Sequence, residues 1–256
     1  MKLTSHATHI SSPWFVLRCL ISMALGRSNQ VLQSYRKDRI SHLNLEQDLR
    51  VLLPQAGPLM FDVGANKGQT LAMFQRIFDK PVIHAFEPNK SLVEKVLSPA
   101  HAGGAKVVIN AAALGAENGS LTFNECENNE LSSFLPMESS AQNPFKDKVV
   151  SSSTTVPVWT VDSYVTEHAL PQLDLLKIDT QGFDLQVLQG ARQQLSAGRI
   201  SLVMLEINFV PMYVGQPTFG EVDALLREHG YALVDMYEKI YQNNRLAWCT
   251  GLYQKC

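Results

Sequence analysis

Short apolar runs recur along the chain from residue 59 onward, and each run ends at a polar residue. Runs of this kind suit strands that are buried on both faces of a parallel sheet. They predict strands at 59–61, 82–86, 106–109, 173–178 and 201–205. Between several of them the apolar residues instead recur at helical spacing. These patterns predict helices, most clearly at 70–78, 91–97, 185–195 and 219–229.

Strands and helices that alternate in this way are typical of an α/β protein with a doubly wound sheet. The last part of the chain predicts two further strands, at 231–235 and 246–253, joined by a turn at 242–244. An antiparallel pair there would make the sheet mixed. The predicted fold class is therefore a Rossmann-like α/β sheet, mostly parallel, with an antiparallel C-terminal strand pair.

Residues 117–150 interrupt this alternation. They are rich in Asn, Ser and Glu and show no clean helical pattern. We interpret them as an irregular insertion that contains a hairpin around 120–124. Long loops are often functional, so this insertion either caps a substrate site or decorates the surface.

The segment 14–25 is the most apolar part of the N-terminus, but it is too short to span a bilayer and Arg18 interrupts it. Trp14, Leu17 and Ile21 share one side of a helical wheel, which predicts an amphipathic helix packed on the domain. A helix that binds a membrane surface or a partner is the alternative. The internal charge disfavours a signal peptide. The chain is accordingly divided into a helical extension at 1–44 and a main domain at 45–256.

Composition limits the classes of function. The 256 residues are 45% hydrophobic and 18% charged, as in an ordinary globular protein. The net charge of −2 gives no strong field toward nucleic acid or an anionic membrane. Cys19, Cys126, Cys249 and Cys256 show no C-x-x-C spacing, which disfavours a disulfide framework or a Cys-rich zinc site and favours a reducing, cytoplasmic setting.

The strongest local signal lies between the first predicted strand and the first helix, where the sequence reads FDVGANKGQT from Phe61. Gly64 permits a tight turn and the close approach of a ligand to the backbone. Amide groups at the start of the helix can hold an anionic or polar group. The spacing of Gly64 and Gly68 differs from that of the dinucleotide fingerprint G-x-G-x-x-G.

A second signal is Glu87, which ends the second predicted strand about twenty residues after the glycine loop, where an acidic residue can accept hydrogen bonds from both ribose hydroxyls. Pro88 then opens the next helix. The alternative is that Glu87 only caps that helix. Its distance from the glycine loop favours nucleoside binding.

These segments together resemble the class I methyltransferases, and specifically the FkbM family. The resemblance is carried by DVGANKG from Asp62, FEPN from Phe86, LKIDTQGFD from Leu176 and LEIN from Leu205. The segments follow one another in family order from about Leu45 to the C-terminus, and the residues before Leu45 lie outside the resemblance.

The resemblance implies an S-adenosylmethionine-dependent enzyme that methylates an oxygen, often a sugar or polyketide hydroxyl. The family usually has Glu at the position of Gln181, and Gln keeps the hydrogen-bonding shape of that side chain but not its charge. The resemblance implies cofactor contacts from Asp62, Gly64 and Glu87. We add Asn66 and Gly68 of the glycine loop and Asn110, which ends the third predicted strand. The predicted set is Asp62, Gly64, Asn66, Gly68, Glu87 and Asn110.

Methyl transfer to a hydroxyl needs a group that orients the oxygen and accepts its proton. Asp179 and Glu206 end neighbouring predicted strands and are the candidate catalytic residues, with Lys177 expected as a structural counter-charge to Asp179. The alternative is that both carboxylates cap helices or bind backbone amides. Asp179, Glu206 and Asn208 are all hard oxygen ligands. No ligand spacing singles out a metal site, however, and none is predicted.

Two other classes of protein share these features. An NAD-dependent oxidoreductase would use the same loop and Glu87, but the middle glycine of its fingerprint and an obvious hydride-transfer pair are missing. A non-catalytic nucleoside-binding protein of the same fold is the other alternative. The expected partners are S-adenosylmethionine and a small-molecule or glycan acceptor, without nucleic acid and without a transmembrane segment. Peripheral membrane contact through the N-terminal helix stays open, as does the oligomeric state.

Overall fold

The computed structural model describes residues 44–97, 106–148 and 150–256. The chain divides into two compact units, Met1–Pro54 and Gln55–Cys256. In the first unit the structure describes helix α1 (Leu45–Leu52). Asn44 is its N-cap, and the Asn44 side chain accepts a hydrogen bond from the backbone amide of Gln47 at 3.0 Å. The helix predicted at 14–25 lies outside the described residues, and the division at residue 44 stays a prediction.

The second unit contains ten strands and six α-helices in its described residues. Its strands are β1 (Leu59–Val63), β2 (Val82–Phe86), β3 (Lys106–Asn110), β4 (Ala113–Leu114), β5 (Gly119–Cys126), β6 (Val150–Trp159), β7 (Leu173–Ile178), β8 (Ile200–Asn208), β9 (Tyr231–Gln242) and β10 (Arg245–Lys255). Its helices are α2 (Gln69–Ile77), α3 (Lys90–Leu92), α4 (Val161–Glu167), α5 (Asp184–Gln189), α6 (Arg192–Ser196) and α7 (Phe219–Glu228). A π-helical turn at Val93–Leu97 continues α3, and a 3₁₀ turn lies at Asn129–Leu131.

Seven strands form the main sheet, in the order β3-β2-β1-β7-β8-β10-β9. β1 pairs in parallel with both β2 and β7, whereas β10 runs antiparallel to both β8 and β9. The predicted mixed sheet with an antiparallel C-terminal pair is confirmed. The strand order reverses between β1 and β7, and open α/β sheets bind ligands at the carboxyl ends of the strands at such a switch point.

The central strands are shielded on both faces. Met60 and Phe61 are successive residues of β1 that point to opposite faces, and both are 0% exposed. Leu175 and Leu176 of β7 are buried in the same way. This burial explains why these strands read as continuous apolar runs rather than as an alternating pattern.

A second, three-stranded sheet has the order β4-β6-β5. β5 pairs antiparallel with β6, so the predicted hairpin around 120–124 is instead one arm of a hairpin with a long connection at 127–149. The pattern did not predict β6, because its first half is an exposed Ser and Thr stretch without an apolar run.

The helix predicted at 185–195 is divided into α5 and α6 at Gly190. A Cβ at Gly190 would overlap the carbonyl oxygen of Gly115, so the close approach of two backbones limits this position to glycine. Cys126, Cys249 and Cys256 are all free thiols. None of the described helices is long and apolar enough to cross a membrane.

Candidate active site

A cavity of about 420 Å³ lies at the carboxyl ends of β1, β2, β7 and β8. Its volume is in the usual range of small-molecule sites. The glycine loop and Glu87 line one side, and Asp179 and Glu206 line the strand ends. Insertion residues, among them 128–132, Phe134 and Phe145, form much of the opposite wall. The insertion therefore takes part in the cavity and is not only surface decoration.

Gly64 brings the ends of β1 and β7 together. It has a φ of 77°, and a Cβ there would overlap the carbonyl oxygen of Asp179. Its amide donates to the Phe86 carbonyl at 2.9 Å, which ties the loop to β2. The close approach inferred from the sequence is thus to the neighbouring strand. Gly68, with a φ of 87°, is the N-cap of α2.

Glu87 lies at the end of β2 and lines the cavity, although it is only 5% exposed. Its two carboxylate oxygens accept the amides of Asn66 and Asn89, at 2.8 and 2.9 Å. Burial raises the pKa of Glu87 to about 6, against the opposing effect of these two amides. Asn89, and not Glu87, caps the next helix, because its side chain accepts the amide of Leu92. Each oxygen of Glu87 keeps a second acceptor position for a ligand.

Asp62 is fully buried and does not line the cavity. Its carboxylate pairs with Lys177 Nζ at 2.8 Å, and the same ammonium donates to the Gly64 carbonyl at 3.0 Å. Burial alone would lower the pKa of Lys177, but Asp62 and Asp179 raise it above its ordinary value. Lys177 was expected as a structural counter-charge to Asp179; its direct ion pair is with Asp62 on the neighbouring strand, while the charge of Asp179 still raises its pKa.

Asn110 is placed behind the cavity and not on its surface. Its side chain donates to the Ala85 carbonyl at 3.1 Å and accepts from the Tyr164 hydroxyl at 3.2 Å. Its backbone carbonyl accepts the amide of Glu87 at 3.0 Å. Asn110 therefore supports the position of Glu87 from the adjacent strand.

Two residues that line the cavity each have a buried side-chain oxygen without a hydrogen-bond partner among the residues that the structure describes. The two oxygens are Asn66 Oδ1 and Thr180 Oγ1. Asn66 adopts a φ of 47°, in the left-handed region that Asn tolerates. A buried polar atom is normally bonded, so atoms of this kind in a cavity are suited to groups of a bound ligand.

Gln181 connects the two predicted catalytic carboxylates. Its Nε2 donates to Asp179 Oδ1 at 2.9 Å and to Glu206 Oε2 at 3.4 Å. Its Oε1 accepts from the Tyr213 hydroxyl at 3.0 Å. The residue that departs from the family pattern is thus the one that holds the pair together. In the described part of the chain, no three His, Cys, Asp or Glu side chains are grouped so that they could hold a metal ion.

The carboxylate pair shares one region of negative charge. Burial, together with the charges of Asp179 and Asp184, raises the pKa of Glu206 to about 8. This shift favours the protonated form of Glu206. The side chains of Gln181 and Asn208 both donate to Oε2, which leaves Oε1 to carry the proton.

Asp184 does not line the cavity, but its charge acts on Glu206, and the sequence pattern did not single it out. It is 2% exposed, and its carboxylate accepts the amides of Thr180 and Gly182 at 3.3 and 3.2 Å. Burial raises its pKa to about 6, and the charge of Asp179 adds to the shift. The available signal was an acidic residue at the first position of a helix after a glycine turn.

Comparison with known proteins gives the family. The model of the methyltransferase FkbM domain matches residues 62–233. Hexuronic acid methyltransferase AglP of Haloferax volcanii is 25% identical over 173 residues, which are 66% of this chain and 65% of that protein. The 2-O-methyltransferase NoeI of Sinorhizobium fredii is 20% identical over 69% of this chain and 74% of its own length.

Among solved structures, the magnesium protoporphyrin IX methyltransferase of Synechocystis with bound S-adenosylmethionine is similar at a TM-score of 0.47 and 9% identity. That similarity covers 99% of this chain and 100% of that one. The family match extends from Asp62 through the glycine loop, Glu87, Asp179 and Glu206, and thus includes the strand ends that form the cavity. On this match, the chain belongs to the FkbM family of S-adenosylmethionine-dependent methyltransferases.

Proposed function

We propose that this protein methylates a hydroxyl oxygen of a sugar-type acceptor. The observation that carries the proposal is the Asp179–Gln181–Glu206 arrangement at the switch point of the sheet. A hydroxyl must be oriented and must lose its proton as the methyl bond forms, and a carboxylate pair is suited to both tasks. The names of AglP and NoeI, which refer to a hexuronic acid and to 2-O-methylation, support an oxygen of a sugar.

The residues of the glycine-loop side are suited to S-adenosylmethionine. We assign the ribose hydroxyls to Glu87, which keeps two acceptor positions, and a polar group of the cofactor to Asn66 Oδ1. The bound cofactor supplies an electrophilic methyl group on a sulfonium. In this proposal Gly64 and Gly68 shape the loop, while Asp62 and Asn110 act from behind it.

The acceptor hydroxyl is proposed to lie against Asp179. The raised pKa of Glu206 favours its protonated form, so we assign the hydroxyl proton to Asp179, the other member of the pair. Gln181 keeps Oδ1 of Asp179 in place through a 2.9 Å hydrogen bond, and the Tyr213 hydroxyl keeps Gln181 in place in turn. Positioning and proton acceptance thus both depend on one carboxylate.

The test compares Asp179→Asn and Glu206→Gln, with Glu228→Gln on the exposed end of α7 as control. We expect Asp179→Asn to lower kcat by about 10²–10⁴-fold, which is the usual range for a general base. The Kd for S-adenosylhomocysteine should not change, and Glu206→Gln should have a milder effect. An inactive Glu206→Gln beside a nearly normal Asp179→Asn would reverse the two roles. Loss of cofactor affinity in a folded Asp179→Asn protein would show that Asp179 is not the base.

A further inference from the structure

One wall of the cavity is aromatic and lies beside the carboxylate pair. Trp248 of β10 and Phe145 of the insertion both line the cavity, with ring centroids 6.2 Å apart and planes inclined at 46°. In the β8–β10 ladder, Trp248 is opposite Asn208 and Thr250 is opposite Glu206. Alternate residues of a strand share a face, so Trp248 and Glu206 are on the same side of the sheet.

The residues between them confirm this orientation. Ile207 and Cys249 are paired in the same ladder, and both belong to the buried hydrophobic core. Their side chains therefore point to the opposite face of the sheet. Trp248 is only partly buried, so part of its indole ring is available to a ligand in the cavity.

The charged groups of the cavity are mainly acidic. Glu87, Glu130, Asp179 and Glu206 line it. Lys177 is the one cationic side chain that lines the cavity in the described part of the chain. Its ammonium is already bonded to Asp62 and to the Gly64 carbonyl. Because Glu206 favours its protonated form and Glu87 is assigned to the cofactor, a carboxylate that entered this cavity would meet the charges of Asp179 and Glu130, without a free counter-charge among these residues.

We infer that the acceptor is an uncharged sugar that stacks the apolar C–H face of its ring on Trp248, and that acceptors bearing a carboxylate are rejected. The inference rests on the proposed function and adds the substrate class to it. Stacking on Trp248 presents a ring hydroxyl to Glu206, on the same side of the sheet, and to Asp179, which Gln181 joins to Glu206. Glu130, exposed at the rim on the 3₁₀ turn, repels anionic sugars before they enter. The preferred acceptor thus differs in charge from the hexuronic acid in the name of AglP.

The experiment measures transfer of labelled methyl from S-adenosylmethionine to matched pairs of nitrophenyl glycosides. The pairs are glucoside and glucuronide, and galactoside and galacturonide. We expect kcat/KM for the neutral member to be at least about tenfold higher, since like-charge contacts at a binding site are strongly unfavourable. Glu130→Lys should lower the ratio of the two kcat/KM values, because it should raise kcat/KM for the uronides.

Variants at Trp248 test the stacking. We expect Trp248→Ala to raise the acceptor KM by about three- to tenfold, with partial recovery in Trp248→Phe. The Kd for S-adenosylhomocysteine should remain unchanged, which also shows that the variants are folded. Trp159→Ala is the control, because Trp159 is partly exposed on β6 and does not line the cavity.

The outcomes separate the inference from the function on which it rests. Preference for a uronide, or an acceptor KM that does not respond to Trp248→Ala, overturns the inference but leaves sugar O-methylation standing. A protein that binds S-adenosylhomocysteine and methylates neither member of any pair contradicts both the proposed function and the inference.

Discussion

Neutralising Asp62 should destabilise the protein strongly, because it breaks a buried ion pair. Asp62 and Lys177 lie on the neighbouring strands β1 and β7, 2.8 Å apart, with side chains that are 0% and 7% exposed. Asp62→Asn keeps the shape of the side chain but removes its charge. The ammonium then keeps hydrogen bonds to the carbonyls of Val63 and Gly64 but loses its directly paired carboxylate.

Two arguments give the same magnitude. Removal of one partner from a buried pair costs about 3–5 kcal/mol of unfolding free energy. The ammonium can also lose its proton, and for a lysine with an ordinary pKa of 10.5 this costs at most about 4.8 kcal/mol at pH 7. At pH 9 the same limit is about 2 kcal/mol.

The pH dependence has a definite sign. In Asp62→Asn we expect burial to outweigh the remaining charges of Asp179 and Asp184, so the pKa of Lys177 falls in the folded state and the unfolded state binds more protons. The stability of this variant therefore rises between pH 7 and pH 9. In the wild type the folded pKa of Lys177 is raised, so the contribution of the pair is fully present below pH 10.5 and does not change over this interval.

Urea unfolding of both proteins at pH 7 and pH 9 measures this difference. Glu94→Gln is the control, because the Lys90–Glu94 pair is exposed and 3.8 Å apart, and its loss should cost no more than about 0.5 kcal/mol. A loss below about 1 kcal/mol at pH 7 for Asp62→Asn, together with loss of affinity for S-adenosylhomocysteine, would refute the reasoning. Asp62 would then act on the cofactor directly, as the family resemblance implies.

Three further predictions concern the cavity. Affinity for S-adenosylhomocysteine should fall as the pH drops through about 6, because protonation of Glu87 removes acceptor positions; calorimetry on Glu87→Gln should show weaker binding without that pH dependence. Turnover should not change after EDTA treatment, since the Gln181 amide lies between the carboxylates; loss of activity that Mg²⁺ or Mn²⁺ restores would contradict this expectation. Gln181→Glu should shift the pH–rate profile to higher pH, because it adds a like charge beside the two carboxylates. Gly64→Ala should abolish cofactor binding or folding, whereas Gly215→Ala, at an equally positive φ but with open space around its Cβ, should lose only about 1–2 kcal/mol in thermal or urea unfolding.

The elements that could be predicted from the sequence are those whose signal is local. β1, β2, β7 and β8 are largely buried on both faces, so each is a mostly apolar run. The glycine loop was also visible, because a tight turn between a strand and a helix requires glycine at particular positions. β6 was not predicted, because its exposed Ser and Thr residues form a strand only by pairing with β5, which is distant from them in the sequence.

The same distinction applies to the residues of the candidate site and to the contacts between them. The local sequence was sufficient to select Glu87, Asp179 and Glu206 as candidates, since each is a polar residue that directly follows an apolar run. It could not show which charges meet. β1 and β7 are more than a hundred residues apart in the chain and become neighbours only through the strand order of the sheet. That order pairs Lys177 with Asp62 and places the Gln181 amide between Asp179 and Glu206. It also places Trp248 on the same side of the sheet as Glu206. The partners of a buried charge or ring are the groups that are close to it in space, which need not be close in the sequence.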